Sequence, residues 1–144
     1  MADYAGAVAA IKQRMIDNWT TTPIVFQNEN LYDPSSDATR PWVYFEVIGN
    51  GSSRRGPGMP GHVEYLYLGL IAAHVFVPVN SGAELAQQYA VSIGEIFRSK
   101  EFYNDAPNAV RTWTPQTDGG GSDADDANWW RVTVTVNFEF LYRG

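Results

Sequence analysis

Hydrophobic positions fall into two kinds of pattern along this chain, and each predicts a different element. Near the start, Tyr4, Val8, Ile11, Met15 and Trp19 recur at spacings of four, three, four and four. That rhythm lines one face of a helix over about residues 3–18. Asp3 stands where an N-cap belongs, and Lys12, Gln13, Arg14 and Asp17 take the wet side. Thr20-Thr21-Thr22-Pro23 ends the helix, because a residue before proline is pushed out of the helical region.

A short β-prone stretch at 24–27 and a turn-rich stretch follow, then a stronger strand at 42–48. The two alternating sets of that strand, Trp42/Tyr44/Glu46/Ile48 and Val43/Phe45/Val47, are both largely apolar, so cover on both faces is expected. Residues 63–77 read as the longest strand. At ~3.3 Å per residue it would run about 50 Å, which predicts a bend, with Gly69 the position for it.

Ser81-Gly82-Ala83-Glu84 has the form of a capping box. Behind it a helix is expected to run to about residue 99, with Leu85, Tyr89, Ile93, Ile96 and Phe97 on one face and Ala86 and Ala90 permitting close approach to a sheet. Residues 110–114 form a short strand. In the last strand Val132, Val134, Val136, Phe138 and Phe140 alternate with Arg131, Thr133, Thr135, Asn137 and Glu139, the pattern of a half-buried antiparallel strand. Grouped strands with two helices predict an α+β fold: a mainly antiparallel sheet packed with two α-helices, in one domain over residues 1–144.

Two long stretches interrupt these patterns. Residues 49–61 are glycine-rich and carry Arg54 and Arg55 with no acid; residues 117–126 carry Asp118, Asp123, Asp125 and Asp126 with no base. Loops of this length inside a compact domain are most often functional or disordered. The glycine-rich one is expected to be mobile until docked.

Bulk properties exclude several classes. With 44% hydrophobic and 18% charged residues the chain is globular, and with no cysteine it has neither disulfides, thiolate metal sites nor a cysteine nucleophile. A net charge of −6 argues against sequence-independent nucleic-acid binding, which needs clustered Lys and Arg to neutralise phosphates, and no specific nucleic-acid binding is expected. The longest apolar candidate, residues 65–79, is interrupted by Gly69, His74 and Pro78, so no membrane span is expected. The opening Met1-Ala2-Asp3-Tyr4 has no basic region before an apolar one, and no secretion signal is expected.

Chemistry is hard to find. His74 sits among apolar neighbours, where a packed, hydrogen-bonded role outweighs a catalytic one, and His62 lies at the base of the arginine loop. There is no Gly-x-Ser-x-Gly elbow and no His-x-x-x-His pair. The acidic stretch lacks the ligand spacing of a calcium loop, and Gly49-Asn50-Gly51 lacks the lysine and helix of a phosphate cradle. Trp42, Tyr65, Tyr67, Trp129 and Trp130 could stack on bases, but acidity favours packing or an interface. No enzyme activity, metal or cofactor is expected. A small enzyme or ligand-binding domain built on His74 is the reading from a different class.

Thr22-Pro23-Ile24-x-Phe26-x-Asn28 and Arg40-Pro41-Trp42-Val43 resemble the opening of tail-terminator-like proteins of long-tailed bacteriophages, prophages and gene transfer agents. The resemblance continues through the glycine-rich loop, His74-Val75-Phe76-Val77-Pro78-x-x-x-Gly82 and Ile96-Phe97, and closes with Trp129-Trp130-Arg131-Val132-x-Val134-x-Val136-x-Phe138. It implies a structural virion protein, assembled in the bacterial host cytoplasm and resident in the virion tail. Such a protein forms a homo-oligomeric ring, usually a hexamer, that ends polymerisation of the tail tube protein. It also offers the surface that joins a head-completion or connector protein. The alternative within the particle is another head–tail connector or a tail-tube component. Rings use heterologous contacts, in which one patch meets a different patch on the next copy. The expected contact residues are Arg54, Arg55 and Met59 on one loop and Asp123, Asp125 and Asp126 on the other.

Overall fold

A computed structural model of the chain describes residues 3–29, 33, 39–105, 108–122 and 128–144. In chain order the elements are α1 (Tyr4–Asn18), β1 (Ile24–Phe26), β2 (Trp42–Arg54), β3 (Glu64–Pro78), α2 (Glu84–Phe97), β4 (Glu101–Asp105), β5 (Asn108–Thr112), β6 (Gln116–Thr117), β7 (Gly121–Ser122) and β8 (Trp129–Arg143). They form an α+β fold with one sheet ordered β1-β2-β3-β8-β5-β4, in which β6 and β7 also pair with β8. Every pairing is antiparallel except β1 with β2.

The spine of the sheet is β3 against β8, each 15 residues long and paired in unbroken register from Glu64↔Arg143 to Pro78↔Trp129. Their alternation puts Ile71, Ala73, Val75 and Val77 on the same face as Val132, Val134, Val136, Phe138 and Phe140, and β2 adds Val43 and Phe45. Both helices lie on this one face. Ala7, Ile11 and Met15 of α1 and Ala86, Ala90, Ile93 and Phe97 of α2 complete a single buried apolar cluster with those strands. Burying one large apolar side chain contributes about 1.5–3 kcal/mol, so this cluster dominates the stability.

Helix α1 keeps its sequence-derived bounds, with Asp3 as N-cap accepting a 2.7 Å hydrogen bond from Gly6 N. Helix α2 does not start as the Ser81–Glu84 pattern predicts. Its N-cap is Ala83, with no side-chain cap bond, while the Ser81 hydroxyl donates to Pro78 O at 2.5 Å. Ser81 therefore closes the turn after β3, and the helix begins two residues later than a Ser81 cap would set. The inward stripe is also shifted: the small Ala86, Ala90 and Gly94 face the core, and Leu85 is exposed.

The bend expected at Gly69 lies in the neighbouring strand. β3 runs through Gly69 without a break, and the register shift falls in β2 between Gly49 and Ser52, opposite it. Gly69 serves packing: a Cβ there would lie 2.4 Å from Phe138 Cζ and 2.7 Å from Ile48 O. Half of the predicted glycine-rich loop is strand as well, since β2 extends to Arg54 and pairs Ser52–Arg54 with Tyr65–Tyr67.

The second face of the sheet carries no described helix. Trp42, Tyr44 and Ile48 of β2, Leu66, Leu68 and Leu70 of β3, and Leu141 of β8 alternate onto it half-buried or exposed. Among the described residues no helix covers this face, on which Ala72, Phe76 and Trp129 are nevertheless buried.

Candidate assembly surfaces

His74 lies on the open face with both ring nitrogens engaged. Nδ1 is 2.8 Å from Thr133 Oγ1 and Nε2 is 2.9 Å from Glu46 Oε1. An ionised carboxylate only accepts, so Nε2–H donates to Glu46. Glu46, His74 and Thr133 thus form a cross-strand tie over β2, β3 and β8. Among the described residues no three His, Asp or Glu side chains are grouped to hold a metal ion. The aromatic residues pack rather than form a stacking platform: Trp42 lies flat on Phe76 at 4.2 Å and edge-on to Trp129 at 6.0 Å.

Beyond the register shift, Ser52–Arg54 of β2 pair with Tyr65–Tyr67 of β3, which stays paired with β8 as far as Glu64, and residues 55–63 form the projecting tip of this arm. Residues 48–62 are all exposed. Gly51 takes φ 92° at the shift, a conformation that disfavours a side chain. At the tip Arg54 folds back: its Nε donates to Gly56 O at 2.9 Å and its NH2 to Gly58 O at 3.3 Å. Arg55 N donates to Glu64 O and His62 N to Met59 O, both at 2.8 Å. These hydrogen bonds shape the tip as a hairpin. Arg54 is engaged in that bracing, whereas the side chain of Arg55 makes no hydrogen bond or ion pair among the described residues and Met59 is 73% exposed.

The arm is pinned at two levels, near its tip and at its root. Arg143 NH2 reaches Glu64 Oε1 at 3.0 Å, and Gly144 N donates to Val63 O at 3.0 Å. On the helix side Tyr4 stacks on Tyr67 with centroids 4.8 Å apart, its hydroxyl close against Gly49. Burial, then the neighbouring Tyr67, pushes the Tyr4 phenol above its ordinary value of 10.0. The neutral phenol is favoured in the folded state, so its contribution is complete below pH 10 and fades as pH rises through the raised value. Alkaline titration is expected to loosen this root first. Protection factors at Gly49 and Tyr67, taken against the base-catalysed intrinsic exchange rate, should fall above pH 10 in the native protein, and less so in Tyr4→Phe.

A transverse row crosses the open face at the level of the root. Ile48 pairs with Leu70, Leu70 with Asn137, and Asn137 O accepts from Trp113 N at 3.0 Å. Ile48 is 41% exposed, Trp113 46%, and Leu68, next along the face, 42%. A cleft of about 470 Å³ opens here, walled by Leu68, Trp113 and Phe138 and edged by Glu139, Asn50 and Thr114. Sequence reasoning passed over Trp113 and Leu68. The available signal was parity: Thr112 turns inward to the core, which sends Trp113 to the opposite face.

Asp118 is the one described aspartate of the acidic stretch. Its Oδ1 accepts from Gly120 N at 3.0 Å and Thr133 N at 3.1 Å, tying the segment around β6 and β7 onto β8. Asp123, Asp125 and Asp126 lie outside the described residues.

A sheet covered on one face, with a braced arm held out from it, has the anatomy of a structural protein that makes contact with other chains. The chain belongs to a family of such proteins, described as phage tail terminator protein, whose profile matches residues 7–138. The family is one of tail structural components, not of enzymes. No curated protein matches the chain. One solved structure superposes with a TM-score of 0.73 at 17% identity, covering 100% of this chain and 99% of its own, a likeness of fold. No helix among the described residues is long and apolar enough to cross a membrane.

Proposed function

We propose that this protein caps the tail tube as a ring, ends the tube's polymerisation and presents the surface that joins the head. The observation that carries this reading is the family match over residues 7–138. The presence of two unlike unsatisfied surfaces, the arm and the open sheet face, supports the ring. Unlike patches make heterologous contacts, and these close into rings when the rotation permits. The tail tube protein and a head-completion protein are the partners of the two ring faces. Arg54, Arg55 and Met59 act at one contact, and the negative charge of Asp123, Asp125 and Asp126 offers the complementary field at another.

The test is the mass of the purified protein over a wide concentration range, with negative-stain images alone and after addition of tail tubes. Closed rings of uniform size, or caps confined to tube ends, are expected. Open-ended tubes grown from the protein alone would instead identify a tube subunit. Charge reversal at Arg54 and Arg55 to Glu is expected to weaken capping while leaving the melting temperature close to that of the parent, and because Arg54 also braces the tip, Arg55→Glu alone should weaken capping in the same direction. A single exposed pair contributes only about 0–1 kcal/mol, so the effect must accumulate around the ring. Normal capping by the double variant would remove the arm from the interface.

A further inference from the structure

We propose that the arm tip of one copy seats in the cleft beside Trp113 and Leu68 of the next copy, with Met59 as the apolar plug and Arg55 meeting Glu139. This rests on the ring reading above and specifies its contact. The two surfaces match in chemistry. Met59 is 73% exposed, and an unbranched thioether adapts to an irregular apolar hole. The cleft offers Leu68 and Trp113 as apolar walls, both more than 40% exposed. Its rim holds Glu139, which makes no ion pair or hydrogen bond among the described residues, and the tip holds Arg55 in the same condition. Desolvating both charges together is favourable only as a pair, which fixes the register of the contact.

A chain cannot satisfy its own cleft. The cleft lies at the arm's root, level with Asn50 and Leu68, while the hairpin runs on from Leu68 past Glu64 before it turns. Those four residues alone carry the tip roughly 13 Å away at ~3.3 Å per residue. Pairing of Ser52–Arg54 with Tyr65–Tyr67 and the two Arg54 bonds hold it there. Plug and hole are therefore different patches of one molecule, and their union repeats from copy to copy.

The chain has no cysteine, so single introduced thiols report without background. Met59→Cys protein is mixed with Thr114→Cys protein, with and without tail tubes, and treated with a short bis-maleimide. A cross-linked pair containing one of each variant is expected, and the double variant should give a ladder ending at the ring. Rings seen in negative stain without the mixed cross-link would overturn the contact and leave the ring reading standing. Absence of any closed oligomer, free or on tube ends, would sink the ring reading and this contact with it. Cross-linking of Thr114→Cys only to the tube protein would assign the cleft to that partner and also overturn the proposal. Independently, Met59→Glu should weaken self-association at least about tenfold, the loss typical of a contact hot spot, with unchanged melting, while Met59→Leu stays close to the parent.

Discussion

Replacing Phe97 by alanine is expected to lower stability by about 3–5 kcal/mol. Phe97 is fully buried at the end of α2 and stacks on Phe45 at 5.9 Å. Its position is held from both directions. Thr112 Oγ1 donates to Phe97 O, and Arg14 Nε donates to Ile96 O at 2.9 Å, so the helix end cannot slide to fill the space. A loss of this size takes a large share of the roughly 5–15 kcal/mol that a domain usually has. The check is a urea titration: the midpoint should fall with little change in slope. Phe97→Ala and Phe45→Leu combined should show a coupling of about 0.5–1.5 kcal/mol. A cost below about 1 kcal/mol for Phe97→Ala would mean that α2 is not seated on the sheet as described.

Gly69→Ala is expected to cost about 1–3 kcal/mol, and Gly69→Val to leave little folded protein. The new Cβ would stand 2.4 Å from Phe138 Cζ, whose ring is buried, and 2.7 Å from the carbonyl oxygen of Ile48. The ring can be trimmed, but the carbonyl belongs to the paired backbone. Gly69→Ala with Phe138→Leu should therefore recover only part of the loss. Full recovery would show that the ring alone enforces the glycine. An unchanged melting temperature for Gly69→Ala would contradict the close approach of β2 to β3 at this point.

The sequence was most legible where side chains alternate without competition. The Val132 to Phe140 alternation lies inside β8, and the α1 spacing puts Ile11 and Met15 in the core. It was least legible where partners decide. Gly49-Asn50-Gly51-Ser52-Ser53 has poor strand propensity, yet Ser52 and Ser53 are strand because Tyr67 and Leu66 pair with them. β4 was missed because Glu-Phe-Tyr-Asn-Asp has no clean period and Tyr103 takes φ 56°, interrupting its ladder with β5. β6 and β7, two residues each, exist through β8 alone. Ser81 had the right spacing for a cap, but the Pro78 carbonyl took its hydroxyl. Among the surface residues, Arg54 and Arg55 stood out as an unbalanced charge pair. The cleft was not, since Leu68, Trp113 and Glu139 meet only across three separate segments.

The spine of β3 and β8 also sets how the molecule carries load. A pull on the arm tip away from the body enters β3 at Glu64 and acts along the strand axis, parallel to a ladder that runs its full 15 residues. Rupture in that direction must shear the whole ladder at once, whereas a pull across the strands would unzip it one pair at a time. The arm is thus mounted so that tension applied at its tip is spread through the centre of the sheet instead of falling on its outermost hydrogen bonds.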